Sequence, residues 1–405
     1  MARPESRRVA VLGAGIMGAS TALMLAREGM PVVLFDAAPA PFSGASRWNE
    51  GKIHLGHLYA ADPSLATARR LLPGGLAFRP LVEALIGESL DTAVTRTHDT
   101  YLVHEDSVVD AAAMAAYLDA VTALAAGHPR ARDYLADIAA VACPPLTRQE
   151  LEADYDIRRI RAGFRVPERS VDTQWVADRY LAALQSEPRI TQRMRTRVQA
   201  VHRTSPSGPS TVQTSGDCDG PFDFVVNALW QDRLRIDSGL SLPMPREHNH
   251  RYRVSVFLRT RGRHDLPSTV LATGPFGDVK NYDGRHFYFS WYRHGLQAEG
   301  NGVAPPPEPE LRAADRELIA ERTLADLGAH VRRLPALVAD AEQIRTEGGW
   351  VYASGSGALD DREASLHRRD RVGIHRDGNY FSVDTGKYSI APWLARDIAD
   401  QILAS

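Results

Sequence analysis

Lysine is nearly missing from this chain. Lys52, Lys280 and Lys387 are the only three, against 45 arginines. Cysteine is scarce as well. Cys143 and Cys218 cannot build a disulfide scaffold or a four-cysteine zinc or iron–sulfur site, and two cysteines suit a reducing cytoplasm. No metal-ligand set is read elsewhere. Long apolar runs are absent: nothing approaches the roughly 18 residues of a membrane span. The stretch Val9–Leu12 is interrupted by glycines too early for a signal-peptide core, so it reads as a strand. An excess of one charge is also lacking. The 48 Lys+Arg and 50 Asp+Glu leave a net charge of -2, which argues against nucleic-acid and membrane-surface partners. What is present, 405 residues with 44% hydrophobics, allows a large core and two or three domains.

The first motif lies at the start. Residues 8–12, RVAVL, have the pattern of a buried parallel strand. Gly13-Ala14-Gly15-Ile16-Met17-Gly18 follows, then a helical pattern closed by Gly29, then a second apolar strand, 31–35, that ends at Asp36. Asp36 stands 18 residues after Gly18. Each part has a physical task in binding a dinucleotide. Gly13 makes the tight turn, Gly15 lets backbone approach a pyrophosphate, and Gly18 lets helix and strand pack closely. The helix N-terminus attracts the phosphates, and Asp36 can accept from ribose hydroxyls. Ala37 and Ala38 follow, so no arginine stands ready for a 2′-phosphate.

The next segment runs Ser43-Gly44-Ala45-Ser46-Arg47-Trp48-Asn49-Glu50-Gly51-Lys52-Ile53-His54-Leu55-Gly56-His57-Leu58-Tyr59. Here the chain resembles the D-amino acid oxidase superfamily of flavoproteins, with its glycine oxidases, sarcosine oxidases and 2-hydroxyacid dehydrogenases. Ser46, Asn49 and Gly51 match a "Ser-x-x-Asn-x-Gly" stretch that in that family lies along the flavin. Ile53-His54-x-Gly56, Tyr59 and Asp62-Pro63-Ser64-Leu65 are similar to the L-2-hydroxyglutarate and glycerol-3-phosphate dehydrogenase branch. Glu168-Arg169-Ser170-Val171-Asp172-Thr173 resembles a further family segment ahead of a helix over 174–185. Arg197–Val201 resembles the strand whose valine, here Val198, meets the adenine. Asp223–Trp230 resembles the strand that returns to the dinucleotide at Ala228, with Leu229 in place of the family glycine. Thr385-Gly386-Lys387-Tyr388 precedes a last helix over 393–404, whose N-terminal end the family turns towards the flavin pyrimidine.

The resemblance implies an α/β fold: a Rossmann-type FAD-binding domain with a discontinuous mixed β-sheet substrate domain of α+β texture. Residues 1–80, 170–245 and 345–405 would form the first, and 81–169 and 246–344 the second. Residues 81–165 read as helices, with 108–126 and 147–154 the clearest. RYRVSVFLRT and RHFYFSWYR, after residue 250, read as strands. FAD is the implied cofactor, bound by Gly13, Gly15, Ile16, Met17, Gly18, Asp36, Ser46, Arg47, Asn49, Gly51, Lys52, Val198, Ala228, Thr385, Gly386, Lys387 and Tyr388. Neither cysteine falls in a flavin motif, so the flavin is expected to be noncovalent, with His54 the alternative link.

Flavin N5 accepts a hydride from a carbon bearing N or O, while the protein orients and tunes. His54 and His57 are candidates for the base. Lys52 and Lys387 are candidates for the charge that stabilises reduced flavin, since only lysine offers a compact ammonium whose pKa falls on burial. Lys280 reads as a further candidate or as a loop charge. Tyr252, Tyr288, Trp291 and Arg293 are candidates for the substrate pocket, and Arg251, Arg253 and Arg293 for a clamp on a carboxylate. Strand alternation puts Phe287, Phe289 and Trp291 on one face and Tyr288 and Tyr292 on the other. The expected function is FAD-dependent oxidation of a small amine or amino acid at C–N. The alternatives are dehydrogenation of a 2-hydroxy acid or polyol, and a non-catalytic flavin-binding protein. The expected partners are a small-molecule substrate and O2 or another electron acceptor. The expected location is the cytoplasm.

Overall fold

The computed structural model describes residues 7–405, so residues 1–6 of the first expected segment lie outside the described residues. Two sheets carry the architecture. The first has six strands in the order Gly373–Asp377, Tyr380–Asp384, Phe224–Asn227, Val9–Leu12, Val32–Phe35 and Ile190–Arg193. All are parallel except the Gly373–Asp377 edge, which pairs antiparallel with its neighbour. Parallel strands are covered on both faces, which is why they read as unbroken apolar runs. Val9, Val11, Val32 and Leu34 pack against the helices Ile16–Arg27, Ala66–Ile86, Thr173–Ser186 and Ala391–Leu403. Ala10, Leu12, Val33 and Phe35 face the helix Arg233–Gly239 and a three-stranded antiparallel sheet, Val198–Arg203, Ser210–Thr214 and Cys218–Phe222.

The second sheet has eight strands and is mixed. Its spine is His248–Thr260, paired along its whole length with Ala341–Ser354. On the other side the spine meets His286–Trp291 and Leu296–Gly300. Gly277–Asn281, Thr269–Ala272, Asp99–His104 and Ile160–Val166 complete it, with one parallel pair, Asp99–His104 beside Thr269–Ala272. Residues 345–354, expected in the FAD-binding part, therefore pair with this second sheet. The expectation of helices over 81–165 holds for Ala111–Ala126 and Arg148–Asp154 but misses two strands, Asp99–His104 and Ile160–Val166. Asp99 and Tyr101 are polar at positions that turn out to be buried, so the apolar signal that marks a strand is broken there.

Period-2 alternation gives this sheet two distinct faces. Val256, Leu258, Phe287, Phe289 and Trp291 pack under the helices Ala313–Gly328 and Leu334–Ala339. The opposite face carries Arg251, Arg253, Ser255, Phe257, Asp278, Lys280 and Tyr288, and it packs on loop 43–59. Trp48 stands edge-on to Phe257 with ring centroids 5.3 Å apart. The Tyr282 hydroxyl donates to the Glu50 carbonyl at 3.2 Å. No helix among the described residues is long and apolar enough to cross a membrane.

Candidate active site

The turn between Val9–Leu12 and the helix Ile16–Arg27 is built as tightly as its glycines suggest. Gly13 has φ +98°, and a Cβ there would stand 2.5 Å from the Ala228 carbonyl oxygen. A Cβ on Gly18 would lie 1.8 Å from the Gly13 oxygen. Gly15 is the N-cap and brings no side chain to it. The first turn is reached instead by Ser46, whose Oγ accepts from the Ile16 N–H at 3.0 Å. A Cβ on Gly15 would lie 2.8 Å from that same oxygen, so this glycine leaves a cradle between helix end and loop. Asp36 accepts from the Ala14 N–H at 2.7 Å and the Ala38 N–H at 2.8 Å, which holds its carboxylate at the rim of the turn. Ile16 and Met17 point into the core. Val198 is buried against the back of the sheet, and its carbonyl accepts from Arg235 at 2.7 Å.

Loop 43–59 shapes itself. Asn49 donates to the Ala45 carbonyl and accepts from the Gly51 N–H, both at 2.8 Å. Gly51 has φ +65° and lies against the Val171 carbonyl, where a Cβ would come within 1.9 Å. Thr173 donates to the Arg47 carbonyl at 2.6 Å, and Arg47 pairs with Asp178 at 2.8 Å. Asp172 starts the helix Thr173–Ser186 by accepting from the Gln174 and Trp175 N–H groups.

Behind the loop lies a buried charge network, mostly unforeseen. Lys52 and Lys280 both reach Asp99 Oδ2, Lys280 at 2.8 Å. Lys52 also donates to the Tyr101 hydroxyl at 3.0 Å, and Tyr101 donates to Glu168. Lys280 lies 3.8 Å from Asp278. Burial alone would pull the Lys52 ammonium down, but Asp99 and Glu168 outweigh it and hold its pKa above the ordinary value. Burial lowers Lys280, with Asp99 opposing and Lys52 adding to the fall. Glu168 accepts from the Leu55 N–H at 2.6 Å and the Gly56 N–H at 3.1 Å, so one carboxylate clamps the loop backbone. Burial would raise Glu168, yet His57 and Lys52 hold it well below the carboxylate range. Lys52 is therefore an anchor with a side chain 2% exposed. Lys280, read from sequence as a possible loop charge, is fully buried in a strand.

The two histidines separate. His57 is fully buried beside Glu168, with Nε2 3.1 Å from Thr122 Oγ1, and it faces the helix Ala111–Ala126. His54 has no partner on either ring nitrogen. Burial drives its pKa well below the ordinary value and Lys387 adds to the fall, so the ring is neutral at pH 7. Its ring centroid lies 5.8 Å from that of Tyr59, and the Lys387 ammonium lies 5.8 Å from the same Tyr59 ring. Burial lowers Lys387 to about 8, with Glu50 opposing and Arg369, Arg251 and Arg253 adding to the fall. Lys387 follows Gly386, at φ +63°, whose N–H is held by Asp384 at 3.0 Å. Tyr388 turns beside Phe78, its hydroxyl buried without a partner, and Thr385 is buried.

Arg251 and Arg253 complete this wall. Arg251 donates to the Tyr292 hydroxyl at 3.0 Å, and Arg253 stacks 4.7 Å over the Tyr292 ring. The structure does not bring Tyr252, Trp291 or Arg293 here. Tyr252 alternates to the opposite face, where it packs on Trp350 and donates to Glu308 at 3.0 Å. Trp291 belongs to the core under the helices. Arg293 is exposed on the short helix Tyr292–Gly295. Tyr288 is on the loop-facing side, but its hydroxyl is engaged by Ser255 at 2.9 Å. Arg369 joins the wall from a loop, buried and hydrogen-bonded to the Leu366 and Arg368 carbonyls. Nothing in its sequence neighbourhood, HRRDR, distinguished it from other exposed arginines.

The sequence model described as FAD dependent oxidoreductase matches residues 8–351, a span that contains the glycine turn, loop 43–59 and most of the second sheet. The chain belongs to this FAD-dependent oxidoreductase family. It is an enzyme of that class, and FAD is its cofactor. The cradle at Gly15, which a Cβ would close against Ser46 Oγ, fits such a group. No curated protein matches the sequence. Among solved structures, glycine oxidase from Geobacillus kaustophilus is similar at TM-score 0.67 and 15% identity, covering 99% of this chain and 96% of that one. Iminodiacetate oxidase from Chelativorans sp. BNC1 is similar at TM-score 0.65 and 17% identity, covering 98% and 96%. L-α-glycerophosphate oxidase from Mycoplasma pneumoniae, solved with FAD bound, is similar at TM-score 0.64 and 15% identity, covering 99% and 96%. At these identities the likeness speaks for the fold.

Proposed function

We propose that the protein oxidises a small carboxylate-bearing amine or amino acid at its C–N bond. FAD, when bound, supplies the hydride acceptor, and electrons then pass to O2 or another acceptor. Gly13, Gly15 and the helix N-terminus would hold the pyrophosphate, Asp36 the ribose, and loop 43–59 with turn 384–388 the rest of the cofactor.

The observation that carries the reading is a group of cations beside the end of that loop: Lys387 near the Tyr59 ring, Arg251 and Arg253 on Tyr292, and Arg369 in the field of both tyrosines. The guanidinium groups would bind a carboxylate with paired N–H donors. The same field disfavours a substrate ammonium, so it would lower that group's pKa and deliver the free amine. An amine can release hydride from its α-carbon only with its lone pair free. His54, neutral and without a partner, would take the proton that the substrate ammonium gives up as it becomes the free amine.

His54 also favours a second reading, a 2-hydroxy acid, because a neutral imidazole suits a hydroxyl proton equally. Anaerobic titration of the holoenzyme separates the two. Bleaching of the flavin band by amino acids but not by 2-hydroxy acids is expected. Bleaching by 2-hydroxy acids alone replaces the first reading with the second, and bleaching by neither class removes both.

A further inference from the structure

We propose that His104 and His330 form a proton-sensitive latch on the segment that carries Tyr292, the residue at which Arg251 and Arg253 meet. Neither histidine takes part in the reaction proposed above. His104 ends the strand Asp99–His104 and is 4% exposed. His330 stands between the helices Ala313–Gly328 and Leu334–Ala339 and is 5% exposed.

Hydrogen-bond partners assign the ring protons. The Asp106 N–H donates to His104 Nδ1 at 3.1 Å, so that nitrogen bears no proton and Nε2 does. His330 Nδ1 lies 2.7 Å from the Asp326 carbonyl oxygen, so it bears the proton and Nε2 is free to accept. The two Nε2 atoms are 3.3 Å apart, and the single N–H between them completes the set. Two neutral rings thus fill four nitrogen positions with none to spare. A third proton has one place left, His104 Nδ1. There it meets the Asp106 N–H, donor against donor, and that bond is lost. The bond closes the turn His104–Ser107, which Ser107 Oγ ties further by accepting from the His104 N–H at 2.9 Å and donating to the Ala272 carbonyl at 2.8 Å.

Two routes lead from the pair to Tyr292. The His104 ring packs on Phe276 with centroids 4.8 Å apart, and the Phe276 carbonyl accepts from the Tyr292 N–H at 3.0 Å. The His330 ring packs on Trp291 at 5.3 Å, and the carboxylate of its partner Asp326 is held at 2.8 Å by His294, on the short helix Tyr292–Gly295. The charged groups beside His104 are Asp106, Glu105 and Arg159. An Asp106 carboxylate oxygen stands 3.6 Å from His104 Nδ1 on a side chain 75% exposed, and Glu105 pairs with Arg161 at 2.8 Å. Beside His330, Asp156 donates its N–H to the ring's own carbonyl group at 2.9 Å and turns its carboxylate to Arg158. Burial lowers the His104 pKa and His330 adds to the fall, with Asp106 and Glu105 opposing. Because the folded value lies below the ordinary one, the latch holds above the ordinary histidine pKa and weakens as pH falls.

Hydrogen exchange of the holoenzyme at pH 7.5 and pH 5.5, with uptake corrected for the intrinsic rate, tests this. An opened turn whose histidine has the ordinary pKa of about 6.5 should form roughly tenfold more often at the lower pH. Peptides covering residues 104–108 and 288–296 are expected to lose protection together by that factor. His104→Asn keeps an acceptor for the Asp106 N–H and cannot take the proton, so its protection should be equal at the two pH values. Equal protection in the unaltered protein overturns the inference without any variant. So does a loss confined to the turn, with the Tyr292 peptide unmoved. The same loss in folded His104→Asn would assign it to another group, such as His294, and overturns the inference too. The readout needs no substrate and is independent of the reaction proposed above.

Discussion

With a pKa of about 8, the Lys387 ammonium changes charge inside the range where an enzyme is assayed. Its ordinary value is about 10.4, so burial and three neighbouring arginines favour the neutral form. Below about 8 the group is charged; above it the charge is lost. If that charge assists electron transfer into the flavin, the reduction rate declines as pH rises through about 8. Stopped-flow reduction across pH 6–10 should show this limb. Lys387→Met should lower the rate by roughly 10²–10³-fold and flatten the limb, the scale of one preorganised electrostatic contact. An unchanged pH profile in Lys387→Met would exclude this lysine as the titrating group. Lys52 has the opposite character. Held by Asp99 and Glu168, it stays charged and serves to fasten the loop, so scarcity of lysine pointed to places where a compact ammonium is needed, only one of them beside the pocket.

Between elements, two contacts decide how the loop is held. The first is Asp99, where the strand Asp99–His104 meets both Lys52 from the loop and Lys280 from a third segment. Asp99→Asn keeps the shape and removes the charge, so two ammonium groups remain buried without it. Urea unfolding should show a loss of about 3–5 kcal/mol at pH 7. The loss should shrink as pH rises, because folded Lys280 gives up its proton while the unfolded chain still holds its own. The second is the helix Ala66–Ile86, where Gly75 packs directly on loop backbone. A Cβ there would sit 2.2 Å from the His54 carbonyl oxygen, whereas a Cβ on Gly239 would meet nothing within 4 Å. Gly75→Ala should cost about 1–3 kcal/mol by overpacking, and Gly239→Ala should stay within about 0.5 kcal/mol. Comparable melting temperatures for the two variants would contradict this packing argument.

At the scale of the molecule, the residues proposed to hold the flavin stand where loop 43–59 bridges the two sheets, bonded to the glycine turn through Ser46 and packed on the second sheet through Trp48. A cofactor that binds only the folded chain stabilises it by mass action. FAD at a hundred times its Kd should add about 2.7 kcal/mol, so the melting temperature of flavin-stripped protein should climb with added FAD. Acid precipitation should leave the flavin in the supernatant; colour retained on the denatured chain would instead point to a covalent link at His54. The nucleotide half of this site was open to reading from residues alone. Strand, turn, helix and acid are local in Val9–Asp36, where Gly18 is required by the Gly13 carbonyl and Gly13 by the Ala228 carbonyl, while Gly15 faces the Ser46 side chain of the next loop. The helix after Asp172 was expected from the family segment Glu168–Thr173, and the aromatic strands after residue 250 were legible because alternation is short-range. The pocket was not local. Arg251, Arg253, Arg369 and Lys387 come from a strand and two separate loops; the first two and Lys387 stood among the candidates, but Arg369 and the meeting of the four were not legible, because only the fold brings those segments together. Tyr252 and Arg251 are neighbours in sequence, and only the side on which the sheet is covered sends one to the core and the other to the site. The Lys52–Asp99–Lys280 contact joins residues 47 and 181 positions apart. No periodicity encodes such a meeting, because it is the pairing of distant strands that brings the charges together and the exclusion of water that gives them their strength.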